Sequence, residues 1–475
     1  MRDWDAQRVA REAGATLLAG SAPRGGPPGP LRAGIDSRRV SPGELFVGLR
    51  GERTDGGEHA LDALRAGAWG VLVAPEHARV AAESHVEGVV LAHPEPLTAL
   101  HSLARAWRRE LGASGMKVVG ITGSTGKTST KDILTALLAP QRRVLASPEN
   151  HNTEIGLPLV VLDAPADTEV LVLEMAMRGA GQIAELAAIA EPDVGVIVNV
   201  GPVHLELLGS LEAIAGVKAE LIAALAPRST IVVPAEEPLL EPYLREELQT
   251  VTFGGRGDVT LEQARPDGEV IVRAGAEDIS LRPSFRQAHN LRNLLAAVAA
   301  AQALGIEPQG SVDVRFSALR GEHLAVSGGV VLINDCYNAN PMSMRAAIDD
   351  LAETAPARRV AVLGDMLELG PQAPRLHREI GLYAGEAGVD LLVTVGALAA
   401  EMRTEFPGES YAVADSSAAA EQLEPLLNEG DTVLVKGSRG VALERVGELL
   451  GASPHATDSH SSDASVAEAT AARRR

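Results

Sequence analysis

The chain has 475 residues, of which 45% are hydrophobic, and its formal net charge at pH 7 is −20. This length predicts two to four domains with substantial apolar cores. The acidic balance argues against a protein that coats nucleic acid, because that role normally needs a basic surface. The single cysteine, Cys336, excludes an intrachain disulfide and a zinc site built from several cysteines.

The N-terminal stretch "MRDWDAQRVAREAGATLL" is charged and amphipathic and lacks the apolar core of a secretory signal. No stretch of the sequence approaches 18 uninterrupted apolar residues, the length that a membrane-spanning helix needs. We therefore expect a soluble, cytoplasmic protein without a membrane span.

Residues 1–112 predict a first α/β domain, because short apolar runs alternate there with helical segments. The runs lie at Leu45–Leu49, Gly70–Ala74 and Gly88–Ala92. The stretch "SAPRGGPPGP" (residues 21–30) is typical of a loop, since proline and glycine interrupt regular structure.

Residues 113–315 predict a central domain with a mainly parallel sheet. An apolar strand runs into the glycine turn of "GITGSTGKTST" (residues 120–130), and a helix of period 3 to 4 follows. Further strands are predicted at Glu169–Leu173, Val194–Asn199 and Thr230–Val233, with helical spacers between them. This alternation is the rhythm of a parallel α/β sheet.

Residues 316–453 predict a doubly wound, Rossmann-like third domain. The runs "VVLINDCY", "RRVAVLGDM", "DLLVTVG" and "DTVLVKGS" each resemble a strand that ends in a polar loop. Ligands of such sheets bind beyond the C-terminal ends of the strands. Residues 454–475 are polar and poor in bulky apolar side chains, which is typical of a disordered tail.

The glycine turn predicts a nucleotide-binding loop, although its glycines are not in the common register. Four residues usually separate the first glycine from the Gly-Lys pair, whereas two separate Gly123 from Gly126. A glycine turn ahead of a helix still exposes backbone amides and the positive helix end to phosphate. Lys127 can then reach the outer phosphates. The predicted loop residues are Gly123, Ser124, Thr125, Gly126, Lys127, Thr128 and Ser129.

Magnesium needs hard oxygen ligands, and Thr128 and Glu174 are the natural candidates. Glu174 follows an apolar strand at the edge where parallel strands end, although a plain surface glutamate is the alternative. Asn290 and Asn293 are three residues apart at the start of an alanine-rich helix, so both amides share one face. An amide suits the adenine edge, whereas helix capping is the alternative for Asn290.

The shortened loop resembles the "TG-x-x-GKT" loop of the Mur ligases and folylpolyglutamate synthetases, and the likeness covers nearly the whole chain. In order along the sequence, the matching segments are "DSRRVSPGELFVGLRGERTDGGEHA" (36–60), "NHNTEIGLP" (150–158), "EMAMRGAGQI" (174–183), "NVGPVHLELLGS" (199–210), "GVKAEL" (216–221), "HNLRN" (289–293), "DCYNANPMSM" (335–344), "LGDMLELG" (363–370) and "VKGSRG" (435–440). On these segments the chain is identified as a member of the Mur ligase family.

The resemblance implies an ATP- and Mg²⁺-dependent ligase that forms an amide bond through an acyl phosphate. The matching branch joins D-alanyl-D-alanine to UDP-MurNAc-tripeptide during peptidoglycan synthesis. It also implies three domains: an N-terminal UDP-substrate-binding α/β domain, a central P-loop ATPase and a C-terminal Rossmann-like domain. The expected partners are these small-molecule substrates, without nucleic acid, and the expected state is a monomer.

The resemblance also implies catalytic roles for Lys127, Glu174, His204 and Lys218. His204 would join Thr128 and Glu174 as a magnesium ligand, whereas its spacing alone favours a structural histidine. The lysine equivalent to Lys218 carries a carbamate in this family, and the modified side chain would also hold metal. A solvated helix lysine is the alternative.

Several substrate and nucleotide contacts rest mainly on the resemblance. In the third domain, Asp335 and Asn338 would meet the nucleotide, and Tyr337, Asn340 and Lys436 the incoming dipeptide. The UDP-substrate residues would be Ser37, Arg38, Asp55, Asn150, Asn152 and Thr153. Arg320 would serve the γ-phosphate from a shifted position, because "LRGEHLAV" departs from the Gly-Arg-(Met/Leu/Phe) signature of many relatives.

Three other functions remain open at this point. A Mur-type ligase that adds one amino acid is the nearest, but the diaminopimelate-selecting string "DNPR" is absent. A folylpolyglutamate synthetase would need no sugar-nucleotide domain ahead of the loop, and more than 110 residues precede it here. A non-catalytic ATP-binding regulator would not need Lys127, Thr128, Glu174 and Lys218 intact.

Overall fold

A computed structural model describes residues 1–21, 26–148 and 150–454. Four residues of the predicted loop at 21–30 and residues 455–475 of the predicted tail lie outside this range. The described part of the chain is α/β throughout and contains three sheets. Within the described part, no helix combines the length and the apolar character that crossing a bilayer demands.

The first sheet has five strands in the order β1-β5-β4-β3-β2. Strand β1 is antiparallel to β5, and the other neighbours are parallel. Strands β4 and β5 are buried along their whole length, as expected for parallel strands with both faces covered. The elements in chain order are α1 (Ala6–Ala13), β1 (Thr16–Ser21), β2 (Ala33–Gly34), β3 (Leu45–Val47), α2 (Ala60–Arg65), β4 (Gly70–Val73), α3 (Pro75–Glu83), β5 (Gly88–Ala92) and α4 (Pro96–Ala113).

The second sheet has ten strands in the order β15-β14-β13-β12-β11-β10-β9-β6-β8-β7. Only the β12–β13 and β13–β14 pairs are antiparallel, so the predicted mainly parallel character is confirmed. The elements are β6 (Lys117–Thr122), α5 (Lys127–Leu138), β7 (Val144–Ala146), α6 (Gly156–Asp163), β8 (Val170–Glu174), α7 (Gln182–Ala190), β9 (Val194–Ile197), α8 (Leu205–Leu208), α9 (Leu211–Ala224), β10 (Thr230–Pro234), β11 (Gln249–Phe253), β12 (Val259–Ala264), β13 (Val270–Ala274), β14 (Glu277–Pro283), α10 (Ala288–Ala303) and β15 (Gly310–Val312).

The third sheet has seven strands in the order β20-β19-β18-β21-β17-β16-β22. Its five parallel strands are β17 to β21. The chain proceeds outward along the sheet from β18 to β20 and then returns to place β21 between β18 and β17, which is the doubly wound arrangement that the sequence predicted. The elements are β16 (Glu322–Val326), β17 (Val330–Asn334), α11 (Pro341–Thr354), β18 (Arg359–Gly364), α12 (Ala373–Glu386), β19 (Leu391–Val395), β20 (Glu409–Val413), α13 (Ser416–Leu423), β21 (Thr432–Lys436), α14 (Glu444–Leu449) and β22 (Ser453–Pro454).

The described chain forms two compact units that do not follow the order of the sheets exactly. The first unit contains residues 1–200, 215–286 and 290–315, and the second contains residues 201–214, 287–289 and the chain from residue 316 onward. The segment with His204 therefore belongs to the second unit. The predicted domain boundaries after residues 112 and 315 fall between sheets, whereas the one after residue 453 falls within β22. All three boundaries stay predictions.

Candidate active site

The glycine loop lies between β6 and α5 in the first unit. Gly126 has a left-handed backbone (φ 75°) and stands immediately before the first helical residue, Lys127. A Cβ atom on Gly126 would lie 2.6 Å from Oδ1 of Asn293, so a side chain there would collide with α10. The Lys127 ammonium donates to the carbonyl of Gly123 (2.9 Å). The loop is thus compact, with Lys127 folded back over it.

Glu174 ends strand β8 and is hydrogen bonded to the first turn of α5. Its Oε2 accepts from the Thr128 hydroxyl (2.8 Å), and its Oε1 accepts from the Asn152 amide (2.9 Å). Glu174 is 2% exposed, and its backbone N–H donates to the Ser147 hydroxyl (3.1 Å). Both oxygens of a buried carboxylate therefore accept from neutral groups, and buried carboxylates in proteins are normally paired or bind a metal. The sequence placed Thr128 and Glu174 in one metal site and Asn152 among the UDP-substrate residues, and the structure brings all three together.

Asn199 holds the opposite side of the loop, two residues after β9. Its Oδ1 accepts from the backbone N–H groups of Ser124 (3.0 Å) and Thr125 (2.9 Å). Its Nδ2 donates to the carbonyl (3.2 Å) and the hydroxyl (3.0 Å) of Thr125. Asn199 begins the segment "NVGPVHLELLGS", but no role was predicted for this residue. Its position at the C-terminal end of the predicted strand Val194–Asn199 was the signal that could have found it.

Asn290 and Asn293 are both buried near the start of α10. The Asn293 Nδ2 donates to Oδ1 of Asn290 over a long 3.4 Å contact, and Asn293 packs against Gly126. The structure therefore brings the predicted adenine-side residues against the loop. Contact of either side chain with adenine stays a prediction.

Lys218 lies on α9 and is almost fully buried, with 1% of its surface exposed. Burial, with a smaller contribution from the charge of Lys127, lowers the pKa of Lys218 well below its ordinary value. A lower pKa increases the fraction of neutral amine at neutral pH. Because Lys218 is buried, the alternative of a solvated helix lysine is wrong.

In the second unit, His204 faces the segment around Glu368. Its Nδ1 is hydrogen bonded to the Glu368 carboxylate, and the backbone N–H of Glu206 donates to the Glu368 carbonyl (3.1 Å). Both His204 (φ 52°) and Glu368 (φ 63°) have left-handed backbone conformations, which residues other than glycine rarely adopt. Such residues are concentrated at functional sites. The segments "NVGPVHLELLGS" and "LGDMLELG" thus meet here.

Lys436 and Asp335 form an ion pair at the ends of the neighbouring strands β21 and β17. The Lys436 ammonium is 2.7 Å from Oδ2 of Asp335 and also donates to the Asn338 carbonyl (3.0 Å). Lys436 is 2% exposed. Its charge therefore stabilises the loop that follows β17, and contact with a substrate carboxylate stays a prediction.

The rest of that loop is held by local contacts. Asn340 caps α11, because its Oδ1 accepts from the Ser343 backbone N–H (3.0 Å) and the Ser343 hydroxyl accepts in return from the N–H of Asn340 (3.1 Å). Asn338 Oδ1 accepts from the N–H of Ala339 (2.8 Å). The Arg320 guanidinium stacks 4.0 Å from the centre of the Tyr337 ring, and its Nε is buried without a hydrogen-bond partner. The structure brings Arg320 and Tyr337 together, whereas Asn340 has a structural role that the sequence analysis did not predict.

The candidate UDP-substrate residues of the first sheet lie in two short 3₁₀ turns. Arg38 is exposed and pairs with Asp36 (2.9 Å), while Ser37 begins the same turn. Asp55 precedes the second turn, where it accepts from the N–H of Gly57 (2.9 Å) and contacts Nε2 of His77 (3.1 Å).

Asn150 and Thr153 lie in the loop before α6. Both are exposed, in contrast to the half-buried Asn152 between them. Across the described ranges, no three side chains of His, Cys, Asp or Glu gather as a metal-binding group.

Comparison with known proteins identifies the family. Residues 32–108 match the description "Mur ligase family, catalytic domain", residues 121–301 "Mur ligase middle domain" and residues 319–439 "Mur ligase, glutamate ligase domain". The UDP-N-acetylmuramoyl-tripeptide–D-alanyl-D-alanine ligase of Bacillus subtilis is 35% identical over 88% of this chain and 93% of its own length. This chain belongs to the Mur ligase family. The ligase of the same name from Mycobacterium tuberculosis is 37% identical over 88% of this chain and 91% of its own.

Solved structures of Mur ligases have the same fold. MurF from Acinetobacter baumannii superposes with a TM-score of 0.83 at 26% identity and covers 94% of this chain and 99% of its own. MurF ligase from Thermotoga maritima, solved in complex with ADP, superposes with a TM-score of 0.77 at 31% identity. The match covers 88% of this chain and 96% of the Thermotoga chain. The three-domain α/β architecture of the Mur ligases is thus confirmed for this chain.

The buried amine of Lys218 predicts a gain in stability when its charge is removed. We expect Lys218→Met, in buffer free of CO₂, to raise the free energy of unfolding by about 1–4 kcal/mol, as replacements of buried charges often do. Burial lowers the pKa of Lys218 in the folded state, so this lysine destabilises the wild-type fold. The loss of unfolding free energy is complete below the folded-state pKa and disappears as the pH rises toward the ordinary pKa of 10.5. Denaturant unfolding from pH 6 to 10 measures this gain.

The control for this variant is Lys117→Met, because Lys117 is exposed and pairs with Asp193. It should change stability by less than about 1 kcal/mol. A Lys218→Met protein that is less stable than the wild type at every pH would contradict the assignment of a buried, destabilising amine.

For the Lys436–Asp335 ion pair we expect the opposite effect, namely that removing the lysine lowers the unfolding free energy. Lys436→Met leaves the carboxylate and the Asn338 carbonyl without their donor, so we expect a loss of about 3 kcal/mol in unfolding free energy. The matched control is Arg439→Met, which removes the exposed ion pair with Glu444 and should cost less than about 1 kcal/mol. Equal losses in the two variants, measured by urea unfolding, would contradict a structural role for Lys436.

Proposed function

We propose that this chain joins D-alanyl-D-alanine to UDP-N-acetylmuramoyl-tripeptide with hydrolysis of ATP to ADP and phosphate. The tripeptide carboxylate takes the γ-phosphoryl group of ATP and forms an acyl phosphate. The amine of the dipeptide then attacks the acyl carbon, and phosphate leaves. The observation that carries this proposal is the buried Glu174 carboxylate, hydrogen bonded to Thr128 at the start of the nucleotide-loop helix.

The nucleotide part of the proposal rests on the loop and on the relatives. Helix α5 directs its first amides and the positive end of its dipole toward the loop, which is an arrangement that binds phosphate. Lys127 starts that helix and can exchange its contact with the Gly123 carbonyl for one with a phosphate oxygen. The Thermotoga relative has been solved with ADP, which supports a nucleotide at this fold. Adenine would lie toward Asn290 and Asn293.

The residues around Glu174 fit a magnesium ion. The Glu174 carboxylate and the Thr128 hydroxyl are the hard oxygen ligands that Mg²⁺ prefers, and they are already in contact. Asn152 holds the second carboxylate oxygen and so fixes the orientation of the group. When bound, the metal would neutralise charge on the transferred phosphoryl group. We propose His204 as a further magnesium ligand on the resemblance alone.

Lys218 is proposed to carry a carbamate. Its neutral amine can add to CO₂, which converts the side chain into an anion and releases one proton. The low pKa that burial produces favours the neutral, reactive form. The resulting carbamate oxygens would hold metal or orient the phosphoryl group.

The remaining substrate contacts complete the proposal. Ser37, Arg38, Asp55, Asn150 and Thr153 would meet the UDP-linked peptide. In the second unit, Arg320 would serve the γ-phosphate, and Asp335, Tyr337, Asn338, Asn340 and Lys436 the nucleotide and the dipeptide. We also propose a cytoplasmic monomer, since ATP and the UDP-linked precursor are both available in that compartment.

The proposed function predicts phosphate release that depends on both substrates. With ATP, Mg²⁺ and UDP-MurNAc-tripeptide, carrying either lysine or diaminopimelate at its third position, release should be fast only when D-Ala-D-Ala is present. Release with a single free amino acid instead of the dipeptide would show another Mur-type ligase. Glu174→Gln is the control for contaminating ATPase, because it keeps the side-chain shape and removes the charge, and it should be inactive.

The carbamate predicts dependence on dissolved CO₂. Activity should fall when the enzyme is dialysed against CO₂-free buffer and return on addition of bicarbonate, whereas Lys218→Arg should be inactive under both conditions because arginine cannot form the carbamate. A carbamate signal in the ¹³C NMR spectrum after addition of ¹³C-bicarbonate would identify the adduct directly. Equal activity with and without CO₂, together with the absence of that signal, would contradict the modification.

A further inference from the structure

The loop that precedes α5 is hydrogen bonded to a side chain from the segment that follows the neighbouring strand β9. Asn199 makes four hydrogen bonds to two consecutive loop residues, with both its oxygen and its nitrogen in use. In addition, the Ser124 N–H approaches the Asn199 carbonyl (3.2 Å).

These contacts engage the backbone donors of the central loop. The N–H groups of Ser124 and Thr125 both donate to Oδ1 of Asn199. The first N–H groups of α5 and the Lys127 ammonium are the donors that the proposed function directs at phosphate.

The loop is also confined from both sides by packing. A Cβ atom on Gly123 would lie 3.0 Å from Cβ of Val198, the residue before Asn199. On the other side, Asn293 presses against Gly126. Between these two contacts, the central residues Ser124 and Thr125 are hydrogen bonded to the Asn199 side chain.

We propose that Asn199 is a positioning residue for nucleotide binding. It holds the loop in the conformation in which Lys127 and the first amides of α5 meet the phosphates, so little ordering remains to be done when the ligand arrives. Asn199 itself touches the loop and not the reacting atoms. The inference rests on the nucleotide-binding function proposed above.

The test is the dissociation constant for ADP, measured by isothermal titration calorimetry on the full-length chain. Asn199→Ala should weaken binding by about tenfold or more, because several hydrogen bonds that order the loop are lost. Asn199→Asp keeps the acceptor for the two N–H groups but places a negative charge beside the Thr125 carbonyl and the phosphates. It should therefore bind ADP more weakly than Asn199→Ala.

Steady-state kinetics separate positioning from general damage. Asn199→Ala should raise KM for ATP and leave KM for D-Ala-D-Ala and for the UDP-substrate unchanged. Partial unfolding would instead lower kcat without changing any KM. Asn428→Ala is the control, because Asn428 is an exposed asparagine that contacts only its own loop and the adjoining turn.

A second variant tests the same contact if Asn199→Ala does not fold. Thr125→Val removes the hydroxyl that accepts from Asn199 and should weaken ADP binding by about two- to fivefold. Where both variants fold, the double variant should be less affected than the product of the two single effects, since both break one contact. ADP binding within about twofold of wild type in folded Asn199→Ala, or in Thr125→Val if only that variant folds, would overturn the proposal. Wild-type protein that fails to bind ADP would instead refute the proposed function.

Discussion

The order of three parallel strands, β9-β6-β8, is the constraint on which the candidate site depends. Strand β6 leads into the glycine loop, and its neighbours end at the same edge of the sheet. Ile121 is paired with Glu174 on one side, and Thr122 with Ile197 on the other. The loop therefore receives a carboxylate from β8 and an amide from the residue that closely follows β9. Any other order of strands would separate the loop from one of these side chains.

Two buried lysines show how differently this fold treats charge. Lys436 lies beside Asp335, and the carboxylate together with a backbone carbonyl compensates its charge. Lys218 is equally buried, but Lys127 is the charge that acts on it, so its pKa falls. The first arrangement stabilises a loop, whereas the second produces a reactive amine at a cost in stability. Strongly shifted pKa values of the second kind are typical of functional sites.

The sequence predicted the fully buried parallel strands and the glycine loop, because such strands are continuous apolar runs that end in polar loops. It missed the partly buried parallel strands β7, β11, β15 and β20. Strands β12, β13 and β14 were not predicted. Side chains of β13 and β14 alternate between buried and exposed, and β12 is mostly exposed, so these strands lack a continuous apolar run. Residue type also paired Glu174 with Thr128, and the two side chains are in contact, whereas their magnesium role stays a prediction.

The contacts that a side chain makes were harder to predict than its place in a strand or loop. Lys436 and Asn340 were assigned to substrate mainly from the resemblance, which stays a prediction. Their described contacts are an internal ion pair and a helix cap, and neither contact was predicted. A sequence shows which groups a side chain carries but not which neighbour reaches them first. Asn199 was missed for the same reason, because its function depends on a loop some 75 residues away. The membership of His204 in the second unit likewise follows from tertiary contacts and not from its neighbours in sequence.

The burial of Lys218 makes dissolved carbon dioxide a stabilising ligand of the folded chain, if the amine is modified as proposed. The unfolded chain would expose an ordinary, protonated lysine that reacts poorly, so the gas would bind the native state preferentially. By mass action, the melting temperature would then rise with CO₂ pressure, as it does with any ligand selective for the native form. Degassed storage would therefore weaken the protein even in the absence of substrates.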